Sequence, residues 1–122
     1  MDDLTITTMP LREGALLRIS GALSLGRVKH LVPMADRLGV ERPQRLVIDL
    51  TGCVYLSSLA IGRLLALCDD TDDAGGRAFI ACNRTNVMRM LLLCRADLVA
   101  TIVPTIEDAI VGVGLAEMLD AA

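Results

Sequence analysis

The sequence is poor in aromatic residues: of 122 positions only Tyr55 and Phe79 are aromatic, and tryptophan is absent. Proteins that bind single-stranded nucleic acid stack bases on aromatic platforms, and this chain has no set of them. A basic excess is missing as well. Twelve Lys and Arg against fifteen Asp and Glu leave a net charge of −3, so no broad positive field draws a phosphate backbone, and nucleic acid is not an expected partner. His30 is the only histidine. It excludes any site that needs two imidazoles from one chain, and a Ser-His-Asp triad would depend on it alone. The four cysteines, Cys53, Cys68, Cys82 and Cys94, stand 15, 14 and 12 residues apart with no C-x-x-C pair. They read as reduced core thiols of a cytoplasmic protein rather than as a disulfide framework. The richest apolar stretch, residues 56–68, is broken by Arg63 and is too short to span about 30 Å of hydrocarbon. The start, Met1-Asp2-Asp3-Leu4-Thr5, lacks the positive flank of a signal peptide, so neither export nor membrane insertion is expected.

What is present suits one buried core. The chain is 53% hydrophobic and 22% charged, with 10 glycines and 4 prolines, which implies a single domain over residues 1–122. Residues 4–9 and 15–20 read as an opening antiparallel strand pair around the turn at 10–14. In 25–38 the residues Val28, Leu31, Val32, Ala35 and Leu38 keep helical spacing up to Gly39, with a kink expected at Pro33. Residues 45–50 form a nearly continuous apolar run, as in a strand covered on both faces.

Ser57 and Ser58 precede a helical pattern of Leu59, Ile61, Leu64, Leu65, Leu67 and Cys68. A polar stretch at 69–76 closes it. That stretch carries Asp69, Asp70, Asp72 and Asp73 but lacks EF-hand spacing, and reads as a solvated loop rather than a metal site. Residues 77–82 form the next strand. Thr85 is the expected N-cap of a helix over 86–94, residues 98–103 form a short strand, and Thr105 with Asp108 resembles a capping box for a last helix that weakens at Gly112 and Gly114. The order β-β-α-β-α-β-α-β-α makes this an α/β domain with a mixed, mostly parallel sheet, an N-terminal antiparallel pair and about four helices.

Chemistry concentrates where the strand at 45–50 hands over to the helix after Ser57. A helix N-terminus offers unpaired N–H groups and partial positive charge, so a serine there either caps the helix or accepts a phosphoryl group. The run Asp49-Leu50-Thr51-Gly52, followed by Ser57-Ser58-Leu59-Ala60-Ile61, resembles the core motif of the STAS domain, in which D-L-S-G leads into D-S-S-G-L. Gly21-Ala22-Leu23-Ser24 stands where that family has G-E-L-D. Val87, Arg89 and Leu91 match its V-x-R-x-L helix, and Glu107-Asp108-Ala109 its E-E-A opening. The likeness spans about residues 4–118.

The resemblance implies a non-enzymatic protein of the anti-sigma factor antagonist type, with no catalytic residue, metal site or cofactor of its own. Its partner would be a serine-kinase anti-sigma factor that supplies ATP and Mg²⁺, and Ser58, less so Ser57, would be the phosphoacceptor. Ser24, Asp49 and Ser57 would form the surrounding pocket. Ser24 and Ser57 replace acidic residues of the family pattern, and Ala60 replaces its glycine. Two other readings stay open: an adaptor subunit of a lipid transporter or stress-sensing complex that is never phosphorylated, and a sensor holding a small anion or nucleotide at Ser24, Ser57 and Ser58.

The helix over 86–94 is apolar on more than one side. It is either packed deeply between neighbours or presents a contact face, because Met88 and Met90 point in different directions. As a contact face, Met88, Arg89 and Leu92 would join Ala60 and Ile61 in meeting the partner. His30 falls between apolar positions as a surface residue. Monomer and homodimer are both compatible with this composition.

Overall fold

A computed structural model describes residues 3–121, with side chains placed through residue 114; Met1, Asp2 and Ala122, including the beginning of the acidic start, lie outside the described residues. Strands β1 (Thr5–Leu11) and β2 (Gly14–Leu23) form an antiparallel hairpin with Thr5 opposite Ser20 and Leu11 opposite Gly14. After it come β3 (Arg45–Asp49), β4 (Cys53–Leu56), β5 (Arg77–Ala81) and β6 (Thr101–Val103). Every further pairing is parallel, and the order across the sheet is β1-β2-β3-β5-β6 with β4 joined to β2. The helices are α1 (Val32–Glu41), α2 (Ser58–Asp73), α3 (Thr85–Leu93) and α4 (Ile106–Ala121), with short 3-10 helices at Leu25–His30 and Ala96–Leu98.

Side chains alternate across a strand, so the sheet builds two cores from one set of sequences. Leu17, Ile19, Leu46, Ile48, Ala78 and Ile80 face the larger core, which Leu38 of α1, Ile61 and Leu64 of α2, and Val87 and Leu91 of α3 complete. Leu16, Val47, Phe79 and Ala81 face the other side, where Ala109 and Val113 of α4 cover them. Burial on both faces is why Leu46-Val47-Ile48 is apolar without interruption.

Several local expectations give way to packing. Pro33 makes no kink: α1 begins at Val32, so the proline occupies the first turn, where a missing N–H costs nothing. The helix also runs past Gly39 and ends on Arg42 in the left-handed region at φ 51°. The acidic stretch is not a loop through Asp73. The buried stripe Leu64, Leu67, Cys68 and Thr71 carries α2 on to Asp73, more than a turn further, and its acidic residues lie on the solvent side. Thr85 is the first helical residue of α3 rather than its cap; Arg84 stands at the cap position, without a side-chain bond. Thr105 does cap α4, its Oγ1 accepting the Asp108 N–H at 3.1 Å.

Gly112 does not weaken α4; it lets the helix lie against the Phe79 ring, into which a Cβ would run. Around Gly114 nothing approaches a Cβ position. Gly112→Ala should therefore lower stability by about 1–2 kcal/mol through overpacking. Gly114→Ala should leave it unchanged or raise it by up to about 1 kcal/mol. Urea denaturation of the two variants checks this opposition.

Candidate functional site at the junction of β4 and α2

The site begins with a carboxylate that shapes the chain rather than one that faces a ligand. Asp49 ends β3 with its side chain 4% exposed, and its Oδ2 accepts the Arg18 Nε–H of the neighbouring strand at 2.8 Å. Its Oδ1 accepts both the Thr51 N–H at 3.0 Å and the Thr51 hydroxyl at 2.7 Å. These bonds hold a tight turn at Thr51-Gly52. Gly52 takes up the next pairing, its carbonyl accepting the Gly21 N–H at 2.9 Å. A side chain at Gly52 would strike the Ser20 hydroxyl. The chain thus steps sideways onto the upper half of β2 and runs as β4, a strand that sequence periodicity does not announce over only four residues.

β4 delivers the two serines in different states. The Ser57 N–H donates to the Leu23 carbonyl at 3.0 Å, and its Oγ accepts the Ala60 N–H at 3.3 Å, so Ser57 is the N-cap of α2 and is buried. Ser58, the first helical residue, is exposed and its hydroxyl has no hydrogen-bond partner among the described residues. Leu23 pairs with Leu56, which sets half-buried Ser24 beside Ser57.

Asp49 does not join Ser24 and Ser57, contrary to the sequence expectation. It shares the α4 face of the sheet with Val47, its side chain is bound to Arg18 and Thr51, and Arg18 lies six residues before Ser24, roughly 20 Å along an extended strand.

Ala60 and Ile61 are likewise misplaced by the sequence reading, since both are fully buried against the sheet and neither can touch a partner. The helical turn that buries them turns Leu59 outward, half exposed. The signal was available, because Leu59 falls off the Ala60, Ile61, Leu64 stripe. On α3, Val87 and Leu91 face the core, Met88 and Met90 pack on its margin from partly buried positions, and Arg89, Leu92 and Leu93 are exposed. Both methionines therefore touch the core, each from one flank. Asn83, Thr85, Met88, Arg89, Leu92 and Leu93 line an open groove of about 490 Å³. The Asn86 side-chain amide donates to the Val54 carbonyl at 3.0 Å, tying the start of α3 to the strand that carries the serines. Tyr55 and Leu93 are exposed apolar residues that the sequence reading did not single out.

Burial pushes the Asp49 carboxyl up, but its two bonds from Thr51 and the Arg18 guanidinium outweigh that and hold it below its ordinary value of 3.8. Burial raises the thiols of Cys53 to about 11 and Cys68 to about 12, and Cys82 moves the same way. These three are buried free thiols and Cys94 is partly exposed. Among the described residues no cluster of three His, Cys, Asp or Glu could hold a metal, and no helix is long and apolar enough to cross a membrane.

Because the Asp49 carboxyl is depressed in the folded state, its contribution to stability is complete above about pH 3.8 and fades as the pH falls below it. Asp49→Asn should destabilise at neutral pH, and the gap between variant and wild type should close as denaturation is repeated at lower pH. Ser57→Ala should cost about 1 kcal/mol as a lost cap. Ser58→Ala should stay within about 0.5 kcal/mol of wild type in the same measurement.

The fold has known counterparts. The fold matches an anti-sigma factor antagonist from Mycobacterium paratuberculosis with a TM-score of 0.81 at 21% identity, covering 91% of this chain and 94% of that one. It matches the anti-sigma factor antagonist SpoIIAA in its unphosphorylated form with a TM-score of 0.66 at 14% identity, over 90% of this chain and 96% of that one. The Bacillus cell fate determinant SpoIIAA in its phosphorylated form gives 0.66 at 15% identity, over 88% and 96%. At these identities the likeness establishes the fold. A family model described as the STAS domain matches residues 7–109, and with most of its length inside that match the chain belongs to the STAS domain family.

Proposed function

We propose that this chain is a cytoplasmic, non-enzymatic anti-sigma factor antagonist that binds a kinase-type anti-sigma factor, the source of ATP and Mg²⁺, and is released from it by phosphorylation of Ser58. One observation carries the reading: of two adjacent hydroxyls at the start of α2, Ser57 is buried in a cap and Ser58 stands open to solvent. The comparisons support the general kind, since the matched structures are described as anti-sigma factor antagonists and one is a phosphorylated form.

The physical logic is a change of charge at a contact. A phosphoserine adds about −1.5 to −2 charges and three acceptor oxygens. At the first turn of a helix the backbone N–H groups and the positive end of the dipole stabilise it. Ser24 and Ser57, in place of the carboxylates of the family pattern, add no like charge, and residues 50–68 contain no acidic side chain. The same charge set against a partner surface imposes desolvation and repulsion, and Leu59 is the exposed apolar neighbour that such a surface would cover. The groove on α3, joined to β4 through Asn86, supplies Met88, Arg89 and Leu92 as the rest of the contact. An anion sensor is less well supported, because the Ser57 hydroxyl is already bonded to Ala60.

Incubation with the cognate kinase and ATP should add one phosphate to wild type and to Ser57→Ala and none to Ser58→Ala, read by intact mass. Ser58→Glu should weaken kinase binding more than about tenfold in a titration. Leu92→Asp should do so without changing the fold, as circular dichroism would verify. A wild-type chain that gains no mass with any kinase would favour the adaptor reading.

A further inference from the structure

The acidic residues of this chain avoid one region. From Ala74 to Ala96 there are four arginines, Arg77, Arg84, Arg89 and Arg95, and no Asp or Glu, although the chain as a whole is acidic. Three of the four lie on or beside α3. Arg84 stands at its cap and Arg89 on the groove wall, both exposed and both without a carboxylate partner among the described residues. Arg95, beyond the C-terminus, pairs with Asp97 at 3.4 Å. β4, which packs beside α3, carries no charge, and Arg63 is the only charged residue in the first three turns of α2.

We infer that the α3 groove docks an acidic amphipathic protein segment, its apolar side chains seated on Met88, Leu92 and Leu93 and its carboxylates set against Arg84 and Arg89. The inference deepens the proposed function and rests on its reading of α3 as a partner-binding face. Charge complementarity selects the occupant: Arg89 on the wall beside exposed Leu92 and Leu93, with exposed Arg84 at the cap one turn before Met88, matches carboxylates at the edges of an apolar stripe. Anionic lipid is disfavoured, because surface recruitment by charge ordinarily takes four to eight clustered basic residues and this face offers two unpaired ones. Single-stranded nucleic acid finds no aromatic residue in the groove to stack on.

Three labelled helical peptides test this: one with leucines on one face and glutamates on both flanks, a twin with glutamine for each glutamate, and a twin with lysine. Fluorescence anisotropy at low ionic strength should show wild type binding the Glu peptide about tenfold more tightly than the Gln twin, as two exposed ion pairs each contribute severalfold. The order should be Glu, then Gln, then Lys. The double variant Arg84→Gln with Arg89→Gln should lose the preference while its affinity for the Gln twin stays unchanged. Amide shifts should map to α3. Equal binding of the three peptides, shifts elsewhere, or phosphatidylglycerol vesicles binding more tightly than the Glu peptide in an Arg84- and Arg89-dependent way would overturn the inference. Phosphate transfer to Ser58 is read separately by mass, so a peptide series without charge preference removes the acidic partner and leaves the phosphorylation switch standing. A chain that docks the Glu peptide yet never accepts phosphate removes only the switch.

Discussion

The bonds around Asp49 are the constraint on which the site depends. A chain leaving a central parallel strand would ordinarily cross over at once through its helix. Here one buried carboxylate takes both donors of Thr51 and the guanidinium of Arg18, and the chain is turned back onto β2 for four more residues. β2 makes this possible by its length: its lower half pairs with β3 and its upper half with β4. Without that extra strand α2 would start at the end of β3. With it, the start of α2 is carried past the sheet end to the level of Ser24 and the beginning of α3.

A helix that starts there divides its residues sharply. Ala60, Ile61 and Leu64 anchor it to the larger core, Ser57 closes its first turn from inside, and Ser58 and Leu59 are left outside. α3 repeats the division, with Val87 and Leu91 inward and Leu92 and Leu93 outward. Both helices thus present apolar side chains beside a polar or charged one at the surface.

Much of this was legible in the residues. Period-two alternation and the uninterrupted run Leu46-Val47-Ile48 identified the strands and the two-sided sheet, and the serine pair marked the helix start. What escaped was decided by contacts between distant segments. β4 is too short for periodicity and exists because β2 has an unpaired upper half. Ala60 and Ile61 fit a contact face by proximity to Ser58, but helix phase turns them to the sheet. The family resemblance sets Asp49 in the pocket with Ser24 and Ser57; Arg18, a lone charge among Leu16, Leu17 and Ile19, is the clue that Asp49 has a partner across the strand. Pro33 could be read two ways by local rules alone, and the 3-10 helix ahead of it made the difference.

The buried thiols carry a consequence of their own. A sulfur that ionises only near 11 or 12 holds almost no thiolate at neutral pH, and thiolate is the form that peroxide attacks. Cys53 and Cys68 are therefore chemically silent, and oxidant reaches Cys94 first, at the end of α3. Oxidative damage to the thiols would therefore begin at the rim of one helix and not in the interior.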